Sequence, residues 1–572
     1  MSIRRLRGRV IRGIAVLAAG AAVLTACSGL PVSGPINPGV PADEVPDAPF
    51  LYYPGGPTEG ATPEQIVSGF VEAATSPAAD WATAREFLTA SFSADWAPDT
   101  HVTIDVPSSR VYDAARLESD GIVEVEVESV ATVDETGVYR TSEESSAELA
   151  FELEQQDDGE WRISKAPAGI VIDRDYFATV YRDYTLRFVD PTWNYLVPDV
   201  RWFPTETTAT KIASALLAGE SPYVEGGVDT AFPGGTTLAA GGVVVDDSGV
   251  ADITLSQEAA DASDTQVGLM RAQLVASLAG LGVESVRLHI GGEEVTSTEY
   301  TTLATKPDSR PLVLGDTGYD TGFGFLDSGG QIDDLTAFGD AEELADDAEA
   351  ISLSADRTSI VVQDSNGDVW RRTADGGSES LDQRKNLIEP TLDPQGYPWS
   401  VPSDSPAGLT AYTPDYQPIE IDHAFAGARR VSAMSVSPDG SRMAALVSTA
   451  SGNWAVVVPI LRDGDGAPTS LGDPVGVTAL SGEGIDVTWL DSGTLGVVAE
   501  DSAGIEIVQQ PIGGPATRMS SVEGITQIEA GSQQTIARLL DKNGTLYVRR
   551  GSTWQPAATG VSVLATQLGA PS

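Results

Sequence analysis

Hydrophobic and polar positions change period repeatedly along this chain, and each change marks a boundary. An uncharged apolar run, Ile14 to Leu24, follows Arg4, Arg5, Arg7, Arg9 and Arg12. It is too short for a spanning helix, which needs about 20 apolar residues. From Ser28 to about Gly60 the pattern gives way to Pro31, Pro35, Pro38, Pro41, Pro46, Pro49, Pro54 and Pro57. Proline fixes φ and lacks a donor, so residues 27–60 are predicted to be an extended tether. A helical period begins at Thr62-Pro63-Glu64-Gln65, where a cap, a first-turn proline and a capping-box glutamine coincide. Ile66, Val67, Phe70, Val71 and Ala74 follow at helical spacing, and Ala84 to Phe92 repeats it with Phe87, Leu88 and Phe92. After Trp96 the period becomes two. Residues 102–106, 122–127, 147–153 and 161–163 alternate like strands with one wet face. Helices followed by an antiparallel meander predict an α+β domain over 61–190, ordered like a cystatin-like or NTF2-like cone.

A second α+β unit is predicted over 196–300. Thr205 to Gly219 suits a helix, and Val243–Val245 and Ala251–Leu255 read as strands joined by the turn Asp246-Asp247-Ser248-Gly249. Asp264 to Leu281 carries Val267, Met270, Leu274, Val275 and Leu278 on one face and ends at Gly280 and Gly282. Val283 to Ile290 is a strand. Residues 301–349 form an acidic connection or a first blade, and 350–572 repeat paired hairpins. Their turn glycines fall at 367, 408, 452, 504 and 544, spaced 41, 44, 52 and 40. Such a period belongs to propeller blades, whose sheets bury both faces only in a closed ring. Five blades are legible. A sixth is expected from residues 310–340 with the C-terminal strand near Val561 to Leu568, closing the ring.

The apolar run takes on meaning from its C-terminal end. Leu24-Thr25-Ala26-Cys27 reads as a lipobox after a basic, then apolar, export signal. Cleavage after Ala26 would remove residues 1–26 and leave Cys27 as the N-terminus, S-linked to diacylglycerol and N-acylated, palmitate being the expected chain type. Arg4-Arg5 suggests twin-arginine export, but Leu6-Arg7 is a poor continuation, so the general secretory route is preferred. Cys27 is the only cysteine, which excludes an intramolecular disulfide. The chain carries 34 basic and 83 acidic side chains, a net charge of −49, and cleavage would remove five of the arginines. That surface repels phosphate backbones and anionic lipid heads, so no nucleic-acid partner is expected. Attachment to the bilayer must come from the acyl chains, with the protein facing the extracytoplasmic side.

Candidate chemistry is sparse. His101, His289 and His423 are the only histidines, and none has a metal-ligand spacing. There is no nucleophile elbow and no phosphate-binding loop. Asp463-Gly464-Asp465-Gly466 looks like a calcium loop until Pro474 occupies the place of its bidentate glutamate. The run from Asp333 to Glu349 reads as a solvated connection. Trp370, Trp399 and Trp454 fall in blade strands as core residues, and Trp202 is read as an interdomain anchor. No metal, cofactor or catalytic residue is predicted.

Cys27-Ser28-Gly29-Leu30-Pro31 and Leu196-Val197-Pro198-Asp199-Val200-Arg201-Trp202-Phe203-Pro204, in this domain order, resemble the actinobacterial lipoprotein LpqB family. Residues 205–295, with Phe232-Pro233-Gly234-Gly235-Thr236 and the helix before Val283-Glu284-Ser285-Val286, are similar to a GerMN domain. The resemblance implies two α+β domains, the second GerMN-like, and an all-β propeller of five to six blades. It implies no enzyme, but an accessory protein of the MtrAB two-component system whose partner is the extracytoplasmic domain of the sensor kinase MtrB. Envelope and division would be affected. A protein that binds or acts on cell-wall glycan is the competing class, and carboxylates converging on an aromatic platform in the propeller channel would favour it.

Overall fold

The computed structural model describes residues 54–142, 146–205, 208–295, 303, 310–315, 324–326, 347–530 and 537–568. Helix α1 (Pro63–Ala73) starts at the predicted capping box, with the Gln65 amide donating to Thr62 Oγ1 and the Thr62 amide to Gln65 Oε1. Its Ile66, Val67, Phe70 and Val71 are buried against a curved sheet. That sheet runs β5-β4-β2-β1-β6, from β1 (His101–Asp105), β2 (Ile122–Asp134), β4 (Ser146–Gln155), β5 (Trp161–Lys165) and β6 (Ile170–Asp173), with β3 (Tyr139–Thr141) also paired to β2. Only β1 and β6 run parallel. Alternation along β2 turns Val123, Val125 and Val127 inward, as a half-wet strand requires.

The helix predicted over 84–92 does not form as one piece. Leu88 leaves the helical path to bridge Ile163, with the Thr89 amide on Ile163 O at 2.8 Å and the Ile163 amide on Phe87 O at 2.9 Å. Thr89 then caps a new helix, Ala90–Asp95. Phe87 and Leu88 are buried, so apolar spacing was satisfied by an edge pairing rather than by a helix face.

A two-stranded hairpin, β7 (Tyr181–Val189) and β8 (Leu196–Pro204), leads into the second domain. There α2 (Thr208–Ala218) and α3 (Asp264–Leu278) pack with a sheet ordered β9-β10-β11-β12. Its strands are β9 (Val244–Val245), β10 (Val250–Leu255), β11 (Ser285–Ile290) and β12 (Glu293–Glu294), with β10 and β11 parallel across α3. Ser263 and Gln266 cap α3 reciprocally, and Gly282 closes it at φ +74°, a conformation glycine adopts without a Cβ clash. Gln273 ties α3 to the hairpin by donating to Arg187 O at 2.8 Å.

Among the described residues the repeats close into a six-bladed ring. Blades over 348–382, 391–420, 430–480, 483–519 and 525–559 are antiparallel sheets built from consecutive strands. The sixth takes strands from both ends of the region: Val561–Gln567 pairs antiparallel with Arg310–Gly315, which pairs with Gly324–Leu326. Gln567 also bridges Leu353 of the first blade. Asn453–Arg462 is long enough to pair with both Pro468–Leu471 and Val475–Leu480, which accounts for the 52-residue gap between turn glycines. A clasp recurs in the turns: Asp364, Asp393 and Asp541 each accept turn amides on Oδ1. Their Oδ2 atoms accept from Trp370, Trp399 and Tyr547 at 3.0, 3.2 and 3.2 Å. Trp399 is fully buried and Trp454 nearly so, as core residues should be, whereas Trp370 is only half-buried, its indole N–H on Asp364.

Candidate functional site

Ala26 and Cys27, with the signal, most of the tether and the acidic run from Asp333 to Asp346, lie outside the described residues. The three histidines do not meet. His289 pairs with Asp252 at 2.9 Å beside Arg287 on the wet face of the second domain's sheet. His101 borders an apolar cavity of about 230 Å³ between α1 and the first sheet, where burial pushes its imidazole below the usual range despite Asp134. His423 is exposed at φ +55°. Asp463 caps its own turn, accepting from the Asp465 and Ala467 amides at 2.9 and 3.0 Å. Among the described residues no cluster of His, Cys, Asp or Glu has the geometry of a metal site.

What the structure does build is a hub on β8, buried along nearly its whole length. Asp199 and Arg201, two apart on a strand and therefore on one face, form a bidentate pair at 3.2 and 2.8 Å, each 1 % exposed. The remaining partners come from different domains. Arg201 donates to Thr136 O of the first domain and Gly219 O of the second, both at 3.1 Å, and Asp199 accepts from the Ser221 amide at 2.9 Å. Such saturation is what a buried ion pair needs, since each lone pair left empty adds to the desolvation cost. Trp202 lies next along the strand. Its indole N–H donates to Gly513 O of the propeller at 2.7 Å, and its ring packs on Phe177 with centroids 4.7 Å apart. The predicted anchor is therefore the contact that joins hairpin to propeller. Tyr223 Oη to Tyr139 O at 2.7 Å and Thr141 Oγ1 to Val477 O at 2.8 Å complete the stitching.

Around this junction lies an open cavity of about 580 Å³, with Arg140, Glu225, His423 and Asp473 at its polar side and Leu461, Leu471 and Pro474 at its apolar side. No tryptophan or tyrosine lines it.

Carboxylates do converge in the propeller channel. Glu389, just ahead of the second blade, with Asp486 of the fourth and Glu529 of the fifth, lines a cavity of about 40 Å³ with Ser352, Thr391 and Thr566. Their hydrogen bonds are neutral: Gln527 to Glu389 at 2.8 Å, the Ile528 amide to Asp486 at 2.7 Å, and Thr488 and Thr566 to Glu529 at 3.0 and 2.7 Å. Glu389 is solvent-accessible and the other two partly so, yet protein surrounds all three, so the solvent they meet is that of the channel. Burial, then the Asp486 charge, pushes Glu529 up to about 8, and burial raises Glu389 and Asp486 as well. Space of this size admits water, not a sugar ring. Trp489 at its wall is 2 % exposed, its N–H on Ser435 O, and offers no platform.

A raised carboxyl favours the fold while protonated. Stability from Glu529 should be present near pH 4 and lost as pH rises through about 8. The melting temperature should therefore fall between about pH 5 and pH 9, and Glu529→Gln should flatten that slope. A wild-type slope unchanged in the variant would contradict the assignment.

A hairpin-linked pair of α+β domains docked on a six-bladed propeller defines a multidomain propeller protein with its order of domains fixed by buried contacts. Comparison with known proteins agrees domain by domain. Residues 56–178 match the family model described as lipoprotein LpqB, N-terminal domain, and residues 326–565 match the lipoprotein LpqB beta-propeller domain. Residues 185–296 match Germane, a sporulation and spore germination domain. The chain belongs to the LpqB lipoprotein family. Lipoprotein LpqB of Bifidobacterium longum is 26% identical over 610 residues, covering 98% of this chain and 100% of that one. Its Streptomyces coelicolor namesake is 26% identical over 617 residues, covering 97% and 98%. The Cutibacterium acnes protein is 31% identical over 296 residues, about half of each. Among solved structures, a nidogen/laminin complex chain covers 39% of this chain and 86% of its own at 11% identity and TM-score 0.30. The Myceliophteria thermophila Cps50 (Swd1) β-propeller domain covers 37% and 71% at 8% identity and TM-score 0.27. At those scores the blade topology, not the neighbours, carries the propeller assignment.

Proposed function

We propose that this protein is a lipid-anchored, extracytoplasmic accessory protein of the MtrAB two-component system, acting by binding the sensor kinase MtrB and thereby affecting envelope and division. One observation supports a binding role above others: the Asp199–Arg201–Trp202 hub holds three domains as one body. A stiff body presents a composite surface without the ordering cost that loosely linked domains would carry on docking. Anchoring through Cys27 would confine it to the membrane plane shared with the kinase, where a raised effective concentration lets modest contacts suffice. No helix among the described residues is long and apolar enough to cross a membrane. The acyl chains on Cys27 are the proposed attachment, several chains being needed for firm binding. The glycan reading gains no support from these two cavities: the one at the channel carboxylates holds about 40 Å³ and the junction cavity has no tryptophan or tyrosine in its lining.

Crosslinking in intact cells followed by mass spectrometry tests the proposal. The kinase should be recovered with the wild-type protein. Cys27→Ala should block lipidation and the cleavage after Ala26, leave the protein as precursor or release it to the medium, and lower kinase recovery at least tenfold. Recovery of peptidoglycan fragments without kinase would reverse the ordering of the two readings.

A further inference from the structure

The tip of the β7–β8 hairpin has a feature that the hub does not explain. Residues 190–195 turn the chain tightly, with the Trp193 amide on Asp190 O at 2.9 Å and the Asp190 amide on Tyr195 O at 3.0 Å. Asp190, fully buried, holds that turn: Oδ1 accepts from the Asn194 and Tyr195 amides at 2.8 and 2.5 Å, and Oδ2 from the Thr192 amide at 3.0 Å and its hydroxyl. Trp193 is thereby kept at φ +59°, a left-handed conformation that is strained for a bulky side chain. Asparagine or glycine would hold the same turn without that strain. Yet the position carries tryptophan, and 36 % of the residue is exposed, which makes it one of the few large apolar residues so placed.

Its surroundings specify the chemistry of what it meets. The indole acts on the carboxyl of Asp229, an exposed residue pinned beside the tip by a backbone bridge to Val189 at 2.8 and 2.7 Å. Partial burial, and after it the acidic charges of Asp190 and Glu220, raises the Asp229 carboxyl above the usual range. Tryptophan is the best ring for a cation, and a carboxylate alongside adds charge attraction to the same ligand. The body that carries the pair is strongly acidic as a whole.

We infer that Trp193 and Asp229 form the anchoring point for an arginine or lysine side chain of a basic protein partner, the cation stacked on the indole and paired with the carboxylate. Engagement at the tip would bear on a hairpin whose far end is the three-domain hub. The kinase reading is not required for this inference, which concerns any basic protein partner.

The full-length lipoprotein in detergent micelles, titrated by NMR with Gly-Arg-Gly amide and with its citrulline counterpart, provides the test. Citrulline keeps the shape of arginine and removes its charge. The arginine peptide should bind at least threefold more tightly than the citrulline one. Trp193→Asn, which suits the left-handed turn, should weaken arginine binding by about three- to fivefold. Asp229→Asn should weaken it about twofold or more while melting with the parent, so that lost binding is separable from lost fold. Equal binding of the two peptides, or full binding by both variants, would overturn the assignment. So would binding of chitotetraose that both variants lose while arginine binding stays, since that would make the tip a sugar platform. Failure here would leave the kinase crosslink in cells unaffected, so the two readings fail separately.

Discussion

Truncation after Gly560 should unfold the propeller. The strand it removes, Val561–Gln567, belongs to the sixth blade and contacts the first and fifth. It pairs along Arg310–Gly315, bridges Leu353, and supplies Val561, Val563, Leu564 and Ala565 to a core shared with Ile351, Ile360 and Leu540. Gln567 also donates to Ser354 O and Ala355 O at 3.3 and 3.1 Å, and Thr566 to Glu529 at 2.7 Å. Removing it opens the ring and wets the apolar faces on both sides of the gap. At about 25 cal/mol per Å², several hundred Å² amount to on the order of 10 kcal/mol, comparable to a domain's whole stability. Circular dichroism should show loss of the cooperative melt, and limited proteolysis should leave a fragment spanning about 61–300, whose two cores are separate from the ring. A truncated chain that melts like the parent would mean that closure contributes nothing.

The second large effect is expected at the hub. Arg201→Met alone should destabilise the protein by about 3–5 kcal/mol, because Asp199 is left buried and charged with only the Ser221 amide. Asp199→Leu combined with Arg201→Met should recover most of that loss, since an apolar pair of similar volume is often neutral in such a place. Thermal melts of the two singles and the double give the coupling directly. Recovery should be incomplete, because Thr136 O and Gly219 O lose their donor. A harmless Arg201→Met would show that the ion pair does not hold the domains together.

How far the sequence reached can be judged element by element. The α1 cap, the α3 helix and the turn glycines of the blades were legible because each is local: a few residues satisfy their own backbone groups. Ring closure by Val561–Gln567 was legible too, since an odd strand left over at one end of a repeat implies a partner at the other. The break at Leu88 was not, because its cause is Ile163, distant in sequence. Trp202 could be read as an anchor from its place between domains. Its neighbours Asp199 and Arg201 carried a signal that went unused: two charges spaced i, i+2 inside an otherwise apolar strand can survive only if they pair. Glu389, Asp486 and Glu529 occupy unequal positions relative to their blades and carry no common spacing, so among so many carboxylates only the closed ring singles them out. Trp193 looked like any loop residue. Its interest lies in a positive φ and in Asp229, neither of which a sequence displays.

The central claim is that an anchored, stiff body acts on a kinase in the same membrane. Reconstituting full-length sensor kinase MtrB in liposomes, with and without the lipidated protein, tests it most directly through the rate of kinase autophosphorylation. The account predicts a rate that changes several-fold with the lipidated protein, and barely changes with soluble Cys27→Ala protein at the same total concentration. A rate indifferent to the lipidated protein at saturating surface density would contradict it.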